Sequence, residues 1–149
     1  MTSATAPALQ RIVDLFSGAP KDLRLQALLE YSRKVPPLPA RFQEHRDLME
    51  QVPECQTPFF LKTEVGADER VTLHFDVPAE APTTRGFAGI LSSGLNGATA
   101  DEVLATPNDF YVPMGLAEVI SSLRLRGMSA ILARLKRQVR EQVEARNSG

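Results

Sequence analysis

The 149-residue chain contains one cysteine, no tryptophan, two tyrosines and two histidines. A single thiol cannot close an internal disulfide. It also cannot supply the several thiolates that a zinc or iron–sulfur site draws on. The missing tryptophan removes one stacking platform for bases, and a net charge of −1 with a pI near 6.1 offers no bulk attraction to phosphates. No apolar run approaches the roughly 18 residues needed to span a bilayer. The segment Met1 to Pro7 lacks a basic region followed by an apolar core, so no secretory signal is expected. Neither nucleic acid nor membrane is therefore an expected partner. A lone thiol suits a reducing interior, and the expected location is the cytoplasm.

With 43% hydrophobic and 23% charged residues, the chain has the makeup of one ordinary globular domain. Residues 1–7 read as a flexible tail, and 8–145 as a single domain. Leu9, Ile12, Val13, Leu15 and Phe16 form an apolar stripe at helical spacing, and a second helix starting near Lys21 places Leu25, Leu28, Leu29 and Ser32 on one face. Val35-Pro36-Pro37-Leu38-Pro39 is a stiff spacer, followed by a polar stretch from Ala40 to Glu50 that reads as a short helix or exposed arm.

Two period-2 runs come next. Phe59, Leu61, Thr63 and Val65 share one face, as do Val71, Leu73, Phe75 and Val77, and a Gly66-containing turn joins the runs into an antiparallel hairpin. A helix from Arg85 to Leu95, capped by Thr83 or Thr84, carries Gly86, Gly89 and Gly94. Each of these costs about 1 kcal/mol against alanine, which points to close backbone packing on the sheet. Thr99 and Glu102 form a capping box for a short helix. The last helix has Ser121 as its N-cap and Met128, Ile131, Leu132, Leu135, Val139 and Val143 as its apolar stripe. Helices segregated from a hairpin give an α+β domain.

Cys55 carries the chemistry of interest. It lies in Val52-Pro53-Glu54-Cys55-Gln56-Thr57-Pro58-Phe59-Phe60, a loop shaped by flanking prolines just before the hairpin. Position alone leaves two readings open: a packed small hydrophobe, or a nucleophile that works without a partner cysteine. Glu54 beside it raises the thiol pKa, so activation must come from elsewhere. His45 and His74 have no sequence-near metal partner and read as surface residues. The cations of the last helix, Arg134, Lys136, Arg137 and Arg140 among them, read as a solvated face or as a docking face for an acidic partner. Arg124 and Arg126 occupy its opening turn against the dipole, which calls for a partner elsewhere; Glu118 is one candidate.

The cysteine loop resembles that of the SufE family. So do Tyr31 to Pro39, Ala81 to Leu91, Leu95-Asn96-Gly97, Asp109-Phe110-Tyr111, Gly115-Leu116 and Ile120 to Leu132, all in family order. The resemblance implies helices packed on one small, about three-stranded antiparallel sheet, similar to scaffold proteins of IscU type. It implies an accessory persulfide-transfer protein rather than a stand-alone enzyme. Its Cys55 would take sulfur from a SufS-type cysteine desulfurase, stimulate that enzyme, and pass the sulfur to a downstream scaffold for iron–sulfur cluster assembly. No cofactor of its own is expected, since PLP would belong to the desulfurase; the protein would act as a monomer or homodimer. Gln56, Arg85 and Arg124 carry over as supporting or partner-contact residues. Two departures stand out: Pro58-Phe59-Phe60, where the family often has a branched residue and tryptophan, and Ser122 in place of proline. The alternatives are an iron–sulfur scaffold and a binding module with a buried structural cysteine.

Overall fold

A computed structural model describes residues 6–148 of the chain. Helices α1 (Pro7–Gly18), α2 (Lys21–Tyr31) and α3 (Ala40–Glu44) precede strands β1 (Glu50–Gln51), β2 (Phe60–Val65) and β3 (Val71–Asp76). Helices α4 (Pro82–Leu95), α5 (Ala100–Ala105) and α6 (Ser122–Ser148) follow. The strands form one antiparallel sheet in the order β1-β2-β3, and the architecture is α+β. Of the tail expected over residues 1–7, the first five lie outside the described residues; Ala6 is buried and Pro7 opens α1.

The hairpin forms as its alternation requires. The pairs Leu61–Phe75, Thr63–Leu73 and Val65–Val71 share a face, and all but the half-buried Val65 are buried. The left-handed residue of the connecting turn is Glu69, at φ 66°, rather than Gly66. Asp68 Oδ1 steadies that turn by accepting from Arg70 N at 3.1 Å.

The third strand, β1, is two residues long and covers β2 only as far as Leu61. Beyond it the exposed ladder of β2 is taken up by side chains of α6. Gln138 Oε1 accepts from Thr63 N at 2.8 Å, Gln142 Oε1 accepts from Val65 N at 2.9 Å, and Gln142 Nε2 donates to Thr63 O at 2.8 Å. Two glutamines a helical turn apart thus stand in for a missing strand and satisfy backbone groups that would otherwise be left without partners.

The glycines of α4 do permit close packing, but onto helices instead of the sheet. A Cβ on Gly86 would meet Leu28 O at 2.5 Å, one on Gly89 would meet Tyr31 O at 1.8 Å, and one on Gly94 would meet Leu9 Cδ1 at 2.7 Å. This approach explains why α2 buries Leu28 and leaves Leu25 exposed, contrary to the expected four-residue face. Leu15 of α1 likewise faces outward. The N-cap of α4 is Ala81, so Thr83 and Thr84 fall within its first turn instead of capping it. The Thr99–Glu102 capping box and the Ser121 cap form as expected; Ser121 Oγ accepts from Arg124 N at 3.3 Å.

Contrary to expectation, His74 is not a surface residue. Its side chain is 9% exposed, stacks on Phe42 of α3 at 4.8 Å, and lies 2.8 Å from Glu64 Oε1. Arg41 holds the same carboxylate through both oxygens, at 2.8 and 2.7 Å. The Arg41 guanidinium is the main reason that Glu64 is brought down to about 2, with His74 assisting. A carboxylate lowered by folding contributes stability that is present above its unfolded pKa of about 4.3 and is lost as pH falls towards its folded value. Melting temperature should therefore drop more steeply between about pH 5 and pH 2 in the native protein than in Glu64→Gln. Parallel curves for the two would contradict this assignment.

Candidate functional site

The Cys55 loop leaves the end of β1 and returns to β2. It is pinned at its mouth by two buried residues, Val52 and Phe59, through a hydrogen bond from Val52 N to Phe59 O at 2.8 Å. Within it, Cys55 N donates to Val52 O at 3.2 Å, which makes a tight turn after Pro53. Pro53, Glu54, Gln56 and Pro58 are exposed, while Cys55 and Thr57 are half-buried. The prolines restrict the backbone and remove donors, so the loop has little to bond to except itself and whatever it leans on.

It leans on the first turns of α6. Cys55 Sγ points at Gly127, whose carbonyl oxygen is 4.0 Å away, a long and weak S–H contact. A Cβ built on Gly127 would lie 3.4 Å from Sγ and 3.7 Å from Glu54 O, ordinary van der Waals distances, so the loop lies directly against the helix backbone here. Thr84 and Phe87 of α4, one turn apart, together with Leu123 and Arg124 of α6, complete the wall around the thiol. The space they leave beside it is about 10 Å³, room for about one water-sized atom and not for a ligand.

Burial pushes the Cys55 thiol up to about 11, and the neighbouring Glu54 charge adds to the rise. Glu54 is held by Arg134 of α6, which donates from Nε at 3.1 Å and from Nη2 at 2.9 Å. That pairing keeps the Glu54 carboxyl below its ordinary range. The Arg134 Nη1 edge donates to Glu50 Oε2 of β1 at 2.8 Å. Arg137 also binds Glu50, as does Gln138 Nε2 at 2.9 Å.

At neutral pH the resting site therefore presents a protonated, half-covered thiol. Iodoacetamide should react with the native protein at least about tenfold more slowly than with free cysteine at pH 8, and the rate should rise steeply only towards alkaline pH. Equal rates would mean that the thiol is neither shielded nor raised.

Of the residues singled out from sequence, Cys55, Gln56 and Arg124 come together at this cavity. Arg124 is exposed and, among the described residues, its guanidinium has no ion-pair partner; Glu118 pairs instead with Arg24 at 3.1 Å. The Gln56 amide makes no hydrogen bond among the described residues. Arg85 is turned away from the thiol: its guanidinium ties Ser32 O at 3.2 Å and Val77 O at 2.8 Å, fastening α4 to the chain on either side. The cavity's apolar wall is Phe87 and Leu123; Phe59 is instead fully buried and packed edge-on to Phe75. Neither histidine lines the cavity. Sequence reasoning missed Thr84, Phe87, Leu123, Gly127 and the role of Arg134. Among the described residues, no three His, Cys, Asp or Glu side chains are grouped to share a metal ion, and no helix is long and apolar enough to cross a membrane.

Residues 10–139 match the family model for the SufE Fe–S metabolism associated domain. A SufE-like protein of Mycobacterium tuberculosis is 51% identical over 142 residues, covering 92% of this chain and 98% of its own. The cysteine desulfuration protein SufE of Plasmodium falciparum is 24% identical over 134 residues, covering 87% of this chain and 53% of its own. A hypothetical protein of Thermus thermophilus, solved in solution, superposes with a TM-score of 0.83 at 46% identity, covering 94% of this chain and 98% of that one. With the family model spanning most of the fold and the Cys55 loop lying within it, the chain belongs to the SufE family and has a sulfur-related role in iron–sulfur metabolism.

Proposed function

We propose that the protein is a cytoplasmic sulfur acceptor for a SufS-type cysteine desulfurase. The Cys55 thiolate attacks the outer sulfur of the desulfurase's cysteine persulfide. The donor's S–S bond breaks, the donor cysteine leaves as thiolate, and the transferred sulfur carries its proton with it to end as Cys55–S–SH. No net oxidant is needed, because the sulfane sulfur changes carrier without changing oxidation state. The persulfide is then passed to a scaffold that assembles iron–sulfur clusters.

The observation that carries this reading is where the protein puts its only thiol: at a loop on the surface, beside a small space of about 10 Å³. A structural cysteine needs no such loop, and with no second cysteine in the chain the persulfide cannot collapse into an internal disulfide. Arg124, exposed at the cavity rim without a carboxylate partner among the described residues, supplies positive charge for an incoming or departing thiolate. Gln56 supplies an uncommitted amide.

The test is desulfurase turnover. Alanine formation from cysteine should rise with added protein, without added reductant, until the desulfurase saturates. A rate indifferent to the protein would dismiss the proposal.

A further inference from the structure

The loop that carries Cys55 is attached to the rest of the molecule in an unequal way. Of its backbone bonds, Val52 N to Phe59 O fixes the mouth and Cys55 N to Val52 O lies within the loop, so neither ties residues 53–58 to another element. Apart from the long Sγ contact to Gly127 O, the bidentate pair of Glu54 with Arg134 is the one side-chain polar link from residues 53–58 to another element among the described residues. Arg134 is two helical turns beyond Gly127, so the loop is held against α6 at two points: the backbone at Gly127 and the carboxylate at Arg134.

Arg134 is itself fixed. Its Nη1 is engaged by Glu50, and Glu50 is held by β1 pairing and by Arg137 and Gln138. What remains free to bind Glu54 is the Nε–Nη2 edge of the guanidinium, the geometry that suits two parallel bonds to one carboxylate. On this arrangement, we propose that Arg134 is a positioning residue which, through Glu54, latches the Cys55 loop closed on α6, and that the pair must break for the thiol to reach a donor.

The proposal rests on the reading of Cys55 as a transferring thiol, but its test does not need the desulfurase. Latch failure shows in alkylation of the isolated protein, whereas failure of the sulfur-transfer reading shows only with the donor present. The measurement is the rate of iodoacetamide reaction at Cys55 under native conditions at pH 8, with melting temperature followed in parallel.

Arg134→Gln should react about fivefold faster than the native protein, the scale on which a partly exposed ion pair shifts a two-state opening. Arg134→Lys, able to keep one of the two bonds, should fall between them. Raising the salt concentration should speed the native protein and leave Arg134→Gln unchanged, since only the former has the pair to screen. In a Glu54→Gln background, Arg134→Gln should add nothing further, because both substitutions open the same contact. Arg137→Gln, which loses bonds to Glu50 and Glu141 without touching Glu54, should leave the rate where it was.

The proposal is overturned if Arg134→Gln leaves the rate unchanged or slows it. Slowing would mean that the guanidinium acts only by its charge on the thiolate. Equal acceleration by Arg137→Gln, or full additivity with Glu54→Gln, overturns it as well.

Discussion

Cys55→Ser should leave the fold intact and reduce sulfur uptake to the background of the desulfurase alone, a loss of at least about a hundredfold in transfer rate. The thiolate is the nucleophile in persulfide exchange, and a serine hydroxyl at the same place is neither ionised nor soft enough to attack sulfur. The side chain is half-buried at the edge of the structure and makes only a long contact to Gly127 O, so a similar-sized oxygen should cost less than about 1 kcal/mol in stability. Unchanged melting with lost transfer separates the chemical role from a packing role. A serine variant that stimulated alanine formation as well as its parent would leave Cys55 as a bystander.

The largest expected effect on stability lies elsewhere, at Gly89. A methyl group there would sit 1.8 Å from Tyr31 O and 2.6 Å from Tyr31 C. Both are backbone atoms and cannot turn aside as a side-chain tip could. The neighbouring bonds of Arg85 to Ser32 O and Val77 O resist the same displacement. Alanine brings back about 1 kcal/mol of helix propensity, but forcing α2 away from α4 should outweigh it. Gly89→Ala should therefore lose about 3 kcal/mol, or about 10 °C in melting temperature. Ser93→Ala, on the exposed face of the same helix, should melt within about 2 °C of the native protein. If the two variants melted alike, the close approach of α2 to α4 would be wrong. Because Phe87 reaches the cavity from this helix, a displaced α4 should also loosen the wall behind the thiol.

What could be read from the chain follows from how local each signal is. The hairpin was legible because its two runs alternate with period 2 over whole strands, and one face is buried. The capping box and the stripe of α6 were legible for the same reason, each lying within a single helix. β1 was not: Glu50 and Gln51 are polar and only two residues long, and they are a strand only because β2 is there to pair with them. The outward-facing Leu15, Leu23 and Leu25 show that an apolar residue at helical spacing need not be covered.

The thiol itself was visible through its solitude and its prolines. Most of its surroundings were not, because Thr84, Phe87, Leu123 and Gly127 come from two helices that meet only in the folded chain, and Arg124 was singled out only through the family resemblance and its place in the opening turn. Arg134 read as one more solvated cation, since its carboxylate partner lies 80 residues earlier and no spacing rule links the two. The glycines of α4 announced a close approach but not its partner: the sheet was expected, and the approach is to α2 and α1.

The central claim is that this one sulfur atom accepts another. It is tested most directly by mass spectrometry of the protein after incubation with the desulfurase and cysteine, followed by removal of free thiols. The account predicts a species heavier by one sulfur atom, located on the peptide that carries Cys55, abolished by reductant and absent from Cys55→Ser. An unchanged mass under conditions in which the desulfurase is turning over, or added sulfur that persists in the serine variant, would contradict it.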